Sequence, residues 1–468
     1  MNRHRHLALL AGSVLALAIL NFGCSQPQPD DVLIFGRGSD SVGLDPALEN
    51  DGESFKVCDN IYETLVAYLP ESTAITPQLA KSWEVSQERT LWTFHLHSDI
   101  RFHDGTPFNA DAMLFSLGRQ FDEDHPQHQV NGAYMYWKDM GMDDVVQRME
   151  AVDDSTFRIQ LKEPNASFLS NLAMNFAAAV SPEAVRRHGA DYRKNPVGTG
   201  PFRFVEWRED ERIVLERNES YWGAKSELRR LIFKPIQDSS VRFFELKTGT
   251  IHGLDNLSPE FISEIEESPD LQLLRQPGMN VGYLAMNMDK PPFDNHLVRL
   301  AINHAIDKQS LVDNFYRGLA VPAKNPIPPT LWGYNDRIEP YEHDPEKSRK
   351  LLAEAGFPEG FDTELWAMPV PRPYMPQPSK IAQAIQADLR LVGIRATIVQ
   401  WEWATYLAKV SNGEHPMALL GWTGDNGDPD NFLYVLLDQT AAQKPDAQNI
   451  AFYRNAELHE LLVEARRS

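Results

Sequence analysis

The sequence predicts an α/β protein, and three observations carry that prediction. Between Leu297 and Leu420, segments with helical spacing of apolar residues alternate with short strand-like runs. Thr90–Leu96 and Val152–Leu161 alternate apolar and polar residues, as half-buried strands do. Two Gly/Pro-rich passages, Lys194–Phe202 and Pro277–Asn287, turn the chain sharply and divide it into sections. The 468 residues correspond to roughly three domain-sized units, and 42% hydrophobic residues with 10 Trp are ample for buried cores. A net charge of −21 makes nucleic acid and anionic membrane surfaces poor partners.

In chain order, residues 1–24 read as an export leader. Arg3-His4-Arg5 is a basic start, and Leu7–Leu20 is apolar but too short for a membrane span. Gly23-Cys24 then precedes a polar, Pro-rich stretch, Ser25–Asp31. Val32–Gly36 is a first strand. Ser39–Gly52 is a loop, with Asp51 placed to cap the helix that Ser54–Leu65 predicts. Cys58 falls on the apolar spacing of that helix, the position of a buried core thiol.

Ile100–Phe108 holds a hairpin-type Asp104-Gly105 turn, and Asn109-Ala110-Asp111 opens a helix towards Gln120. His103-Asp104 has no third ligand at a metal-binding spacing, so turn chemistry accounts for it. Phe168–Val180, apolar and Ala-rich, predicts a buried helix. Phe202–Tyr221 reads as two strands and a turn, Leu231–Pro235 as a strand, and Ser239–Thr248 as a helix. Further on, helices are expected at Leu297–Ile306, Gln309–Tyr316, Pro345–Ala355 (closed by Gly356), Lys380–Leu391 and Trp403–Ser411. Strands are expected at Thr363–Met368, Ala396–Trp401 and Met417–Leu420, and Glu457–Ser468 carries an amphipathic helical pattern.

Gly421–Phe432 (GWTGDNGDPDNF) follows the last of those strands. In α/β sheets, loops at the carboxyl ends of strands are where ligands bind. Trp422 offers a flat apolar wall and Asp425 a fixed negative charge beside it, which suits an ammonium group next to a hydrophobic side chain. A solvated acidic turn is the plainer reading of the same residues. A calcium loop fails on spacing, since neither the central Gly nor the closing Glu falls in place. A second stretch, Trp366–Tyr374 (WAMPVPRPY), sets Arg372 among prolines after another strand. A cation there and an anion at Asp425 fit the two ends of a zwitterion.

The enzymatic motifs searched for are missing. No Gly-x-Ser-x-Gly elbow, His-Glu-x-x-His or catalytic Cys-His arrangement occurs, and the glycines at 198 and 200 lack the Lys-Ser/Thr of a phosphate loop. With 66 Asp and Glu, spacing alone leaves a paired-carboxylate hydrolase open, and a tethered chaperone or adhesin would need an exposed apolar patch.

The stretches WAMPVPRPYMP, GWTGDNGDPDNF, PGMNVGYLAMN and IPPTLWGYND together resemble the dipeptide-binding proteins of bacterial ABC importers, members of the family 5 extracellular solute-binding proteins. The likeness runs from about Val32 to about Leu437. His97-Ser98-Asp99 departs from the basic pair more usual in the family, at no expected ligand contact. The resemblance implies a two-lobed periplasmic-binding-protein-like fold of the class II, cluster C type with an extra domain. It implies residues 32–65 and 195–277 as domain I, 66–194 as domain II and 278–468 as domain III, behind a leader (1–24) and tether (25–31). It implies capture of dipeptides and delivery to a permease, with Asp425 on the peptide ammonium and Arg372 on its carboxylate. Trp422, Thr423, Gly424, Pro373 and Tyr374 would line the pocket, and Asn50-Asp51-Gly52 would meet the peptide backbone.

Neither catalytic residue, metal nor cofactor is implied, and the expected state is a monomer. Gly23-Cys24 resembles a lipoprotein cleavage site, with Cys24 lipidated and the protein held at the outer face of a bacterial membrane; a plain secretory signal fits the same residues. Family members typically carry disulfides, which this chain lacks, and they continue for several tens of residues beyond the last helix, so a shortened last domain is expected. Relatives of the same fold take haem, glutathione, longer peptides, nickel complexes or opines, and these stand as the alternative ligands.

Overall fold

The computed structural model describes residues 31–128 and 134–468. The leader, Cys24 and all of the tether but Asp31 lie outside these residues. Asp31 already belongs to the fold, because its carboxylate accepts a hydrogen bond from Arg229 at 2.9 Å. Among the described residues no helix is long and apolar enough to cross a membrane.

Three larger sheets organise the chain. The first orders its strands Gly253–Leu254, Val32–Arg37, Arg230–Pro235, Arg212–Arg217 and Phe202–Arg208. Val32–Arg37 lies parallel to both of its neighbours, so the N-terminal strand is inserted between segments about 200 residues later in sequence. The second sheet is wholly antiparallel, ordered Ala80–Val85, Leu91–Leu96, Thr156–Leu161 and Val146–Asp153. Its inward face is set by alternation: Phe94, Leu96, Phe157 and Ile159 are fully buried. The third sheet is mixed, ordered Asn280–Met286, Met417–Thr423, Phe361–Trp366 and Ile394–Val399, and the last three of these strands run parallel. Helices Pro345–Glu354, Pro378–Leu391 and Trp403–Ser411 alternate with the strands in sequence, as the periodicity requires.

Local chemistry sets the boundaries. The carboxylate of Asp51 accepts from the Ser54 amide at 2.8 Å and starts the helix Gly52–Ile61; Asn109 does the same for Ala110–Phe121. Cys58 is fully buried in that first helix, and burial pushes its thiol pKa up. His103 and Asp104 sit in the expected turn. The His103 ring meets the Gly200 carbonyl at 2.9 Å, and Asp104 accepts from Ser181 and Thr106. In the passage Lys194–Phe202, the Gly200 amide donates to the Ile61 carbonyl at 2.8 Å, and a Cβ on Gly200 would stand 2.7 Å from that same oxygen. Only glycine lets the two backbones approach so closely.

Two expectations are corrected. Phe168–Val180 is not one helix; it forms a helical turn at Phe168–Asn171, a 3₁₀ turn at Asn175–Ala177, and extended chain to Val180. Apolar residues all round this stretch are buried, as expected, but its backbone finds partners elsewhere. Gln120 donates to the Phe176 carbonyl, Ser116 accepts from the Val180 amide, and the Ala179 amide donates to Glu63. Long-range partners thus replace the helical ladder. Val152–Leu161 is likewise two strands, broken at Asp154-Ser155, where the Asp153 carboxylate accepts from the Ser155 amide at 2.8 Å.

The loop Ser39–Gly52 is pinned from below. Arg119 donates to both carboxylate oxygens of Asp45, at 2.7 and 2.6 Å, and neither side chain is more than 1% exposed. Removing one partner of such a buried pair strands the other charge, at a cost of about 3–5 kcal/mol. Asp45→Ala is therefore expected to lower the urea midpoint sharply, whereas Asp45→Leu with Arg119→Met recovers most of the loss; equal losses in the single and double variants would show that the pair carries no such coupling.

Candidate functional site

The strand Met417–Thr423 is buried along most of its length and delivers Trp422, Thr423 and the following loop to its carboxyl end. Gly424 ties the loop to the neighbouring chain through its amide, which donates to the Met279 carbonyl at 2.8 Å, and it packs against Phe432. Asn431 then organises the turn. Its side-chain oxygen accepts from the Trp422 indole at 3.0 Å and from the Asp425 amide at 2.9 Å, and its amide group donates to Asp425 Oδ2 at 3.2 Å. The indole and the carboxylate of the motif are thus oriented by one side chain, nine residues after Trp422 and six after Asp425.

Asp425 Oδ1 accepts from the Tyr136 hydroxyl at 3.0 Å. Burial holds the Asp425 pKa above its usual value, against the pull of the hydrogen bonds from Asn431 and Tyr136. Its oxygens are met by neutral donors, and no Lys, Arg or His among the described residues pairs with it.

Arg372 lies six residues past the end of strand Phe361–Trp366, in a turn closed by its own backbone. The Arg372 amide donates to the Met375 carbonyl at 3.1 Å, and the Met375 amide returns a bond at 2.9 Å. Met375 is buried and anchors the turn. The exposed guanidinium of Arg372 lies over the Trp403 ring, 4.7 Å from its centroid, and has no carboxylate partner among the described residues.

One cavity of ≈ 510 Å³ takes in both charges: Arg372, Pro373, Tyr374, Trp422, Thr423 and Asp425 all line it. Tyr283, Trp403 and the backbone of Gly421 are also part of its wall, with residues of the helix Trp403–Ser411 and of the segment 447–450. Gly424, Asn50, Asp51 and Gly52 do not line it. Gly424 supports the loop from behind. Asn50 is exposed and donates to the Met135 sulfur at 3.3 Å, while Phe55, on the helix that Asp51 caps, packs against Tyr136 with ring centroids 5.7 Å apart. The 50–52 loop therefore stands beside the residue that touches Asp425.

Tyr136, Asn431 and Trp403 were not singled out in the sequence. Asn431 lies within the acidic stretch itself and reads there as one more turn residue. Tyr136 sits in the run Tyr134-Met-Tyr-Trp137, two of whose aromatics are fully buried core, so nothing local separates it from them. Trp403 reads as the start of a helix.

The chain belongs to the family 5 extracellular solute-binding proteins: residues 74–444 match the model described as "Bacterial extracellular solute-binding proteins, family 5 Middle". It is thus a solute-binding protein of the class that serves ABC transporters outside the cytoplasm. The chain is 40% identical over 451 residues to the Heme-binding protein A of Haemophilus influenzae, covering 93% of this chain and 82% of that one. It is 39% identical over 425 residues to the Dipeptide-binding protein of Escherichia coli, covering 88% and 79% respectively. Among solved structures it is similar to the ABC transporter-associated periplasmic binding protein DppA of Helicobacter pylori in complex with peptide STSA. That match has a TM-score of 0.77 and 39% identity, over 93% of this chain and 86% of the other.

A carboxylate whose pKa is raised by folding favours the native state in its protonated form; that contribution is complete below the unfolded pKa and is lost as pH rises through the folded one. Asp425→Asn, uncharged at every pH, is therefore expected to raise the Tm of the ligand-free protein at pH 7 and to leave it little changed near pH 3. Tyr136→Phe removes a donor to the anion and should push the Asp425 pKa higher still in a carboxylate NMR titration; a fall would contradict the contact.

Proposed function

We propose that this protein captures short peptides, dipeptides foremost, and hands them to the permease subunits of an ABC importer. The observation that supports this reading most directly is the pair of opposite charges in one cavity, Asp425 and Arg372, neither of which meets a counter-ion among the described residues. A zwitterion supplies the missing counter-ion to both at once, through charge-assisted hydrogen bonds. Asp425 takes the peptide ammonium and Arg372 its carboxylate. Because the charges stand at a fixed separation, the termini are measured and the side chains are not. Trp422, Tyr374 and Pro373 present flat apolar surfaces that accept side chains of many shapes, while Thr423 closes the ammonium end. Asn50, Asp51 and Gly52 meet the peptide backbone from the opposite side of the cleft as the lobes close by a hinge.

The sheets support a division into residues 32–65 with 195–277, residues 66–194, and residues 278–468, with the cleft between the first two units and the third. A lipid on Cys24 would hold a monomeric binding domain at the membrane surface beside its permease. The name of the Haemophilus influenzae relative makes haem the rival ligand, and the H. pylori complex makes a four-residue peptide a second. The joint presence of Asp425 and Arg372 favours a short zwitterion over either.

Once the cleft closes, both charge pairs leave water, and truncating one partner of a buried pair costs about 2–5 kcal/mol, so Asp425→Asn and Arg372→Ala are each expected to weaken dipeptide binding about 30-fold or more by calorimetry. A dipeptide amide should bind the native protein as poorly as the free dipeptide binds Arg372→Ala. Thermal-shift measurements with di-, tri- and tetrapeptides and with haem rank the ligands, since a ligand of the native state raises Tm. Equal binding of free and amidated dipeptides, or the largest shift with haem, would end this reading.

A further inference from the structure

The turn that carries Arg372 rests on two glycines that face each other across the sheet. Gly282 and Gly421 are directly paired in the antiparallel register of Asn280–Met286 with Met417–Thr423. Neither has a φ in the left-handed region, so backbone conformation does not explain why glycine stands at either position. Space does. A Cβ on Gly421 would collide with Cγ and Cδ2 of the Tyr374 ring, and a Cβ on Gly282 would stand 2.6 Å from the Tyr374 carbonyl oxygen. That same carbonyl accepts from the Tyr316 hydroxyl at 2.8 Å. Tyr374 is thus held at two points, ring and carbonyl, on a floor with no side chains. Tyr374 is also inside the Arg372–Met375 turn, whose ends are bonded to each other.

We infer that the Gly282–Gly421 pair is a specificity-determining seat: by letting Tyr374 lie directly on the strand that leads to Asp425, it sets how far the Arg372 guanidinium stands from the Asp425 carboxylate. Both ends of the ruler then refer to a single strand, Met417–Thr423, one through the chain itself and the other through Tyr374. The inference rests on the assignment of Arg372 to the peptide carboxylate and adds the residues that position it. Filling the seat lifts Tyr374, and the turn moves with it because Met375 and Arg372 are bonded across it. A positively charged group moved by even about 1 Å from its productive place loses much of its contribution.

The readout is the ratio of affinities for a dipeptide and its C-terminal amide, which reports the Arg372 contact and not stability. Gly421→Ala is expected to reduce that ratio at least tenfold, with circular dichroism unchanged. In a Tyr374→Ala background the added methyl group has room, so Gly421→Ala should reduce the ratio no further. Should Gly421→Ala fail to fold, Tyr316→Phe removes only the hydroxyl that holds the Tyr374 carbonyl, and a fall of about threefold or more in the ratio is expected. A ratio that collapses in Arg372→Ala but stays at the wild-type value in the folded Gly421→Ala protein, or in Tyr316→Phe, overturns the seat and leaves Arg372 in the site. A ratio unchanged even in Arg372→Ala removes Arg372 from the site and the seat with it.

Discussion

The cavity is organised around a buried carboxylate that no cation among the described residues meets. Asp425 is largely withdrawn from water, and its two oxygens are met by the amide of Asn431 and the hydroxyl of Tyr136. Neutral donors lower the cost of burying the charge but do not cancel it, which is why the pKa stays above the usual carboxylate value. A built-in lysine or arginine would satisfy Asp425 better; under the proposed function the peptide ammonium takes that place. At the other end, Arg372 has an aromatic face beneath it and open space above, a polarised but unneutralised cation. The same constraint acts on both ends: each charge is supported enough to stay in place and left short of one partner.

The acidic stretch also spans the molecule. Beyond the Tyr136 contact, Asn426 donates to the side chain of Asn171 at 2.6 Å, and the Gly427 amide donates to the Tyr68 hydroxyl at 3.1 Å. Tyr68 in turn donates to the Ser170 carbonyl at 2.9 Å. These partners all come from residues 66–171, whereas the stretch itself is an extension of the third sheet. Each such neutral bond is worth about 1 kcal/mol net, so together they join the stretch to residues 66–171 by a few kcal/mol. Under the proposed function, a ligand on Asp425 would act on the very residues that make these contacts.

The acids that follow continue the pattern. Asp428 and Asp430 are both raised by burial, Asp430 to about 6, with Arg466 opposing the shift. Arg466 lies 3.3 Å from Asp430, so the last helix, Ala456–Arg467, docks against the same stretch. The last helix is thereby tied to the acidic stretch by this ion pair and by the Arg466 guanidinium over the Tyr434 ring, and protonation of Asp430 near pH 6 weakens the ion pair.

By itself, the sequence determined most of the elements and singled out the two charged side chains that line one cavity. Alternation placed the strands around Phe94 and Phe157, capping residues placed the helices after Asp51 and Asn109, and a Trp-Asp pair after a buried strand marked Trp422 and Asp425, because each signal is carried within a few residues. Where a segment was apolar all round, as in Phe168–Val180, period gave no direction, and the distant partners Ser116, Gln120 and Glu63 decided the backbone. The tertiary structure alone decided that Tyr136 reaches Asp425 from 289 positions away, that Trp403 lies under Arg372, and that Gly282 and Gly421 meet beneath Tyr374. None of these has a local signature: an aromatic that supports a ligand site and one that fills a core obey the same spacing, and only the path of the whole chain tells them apart.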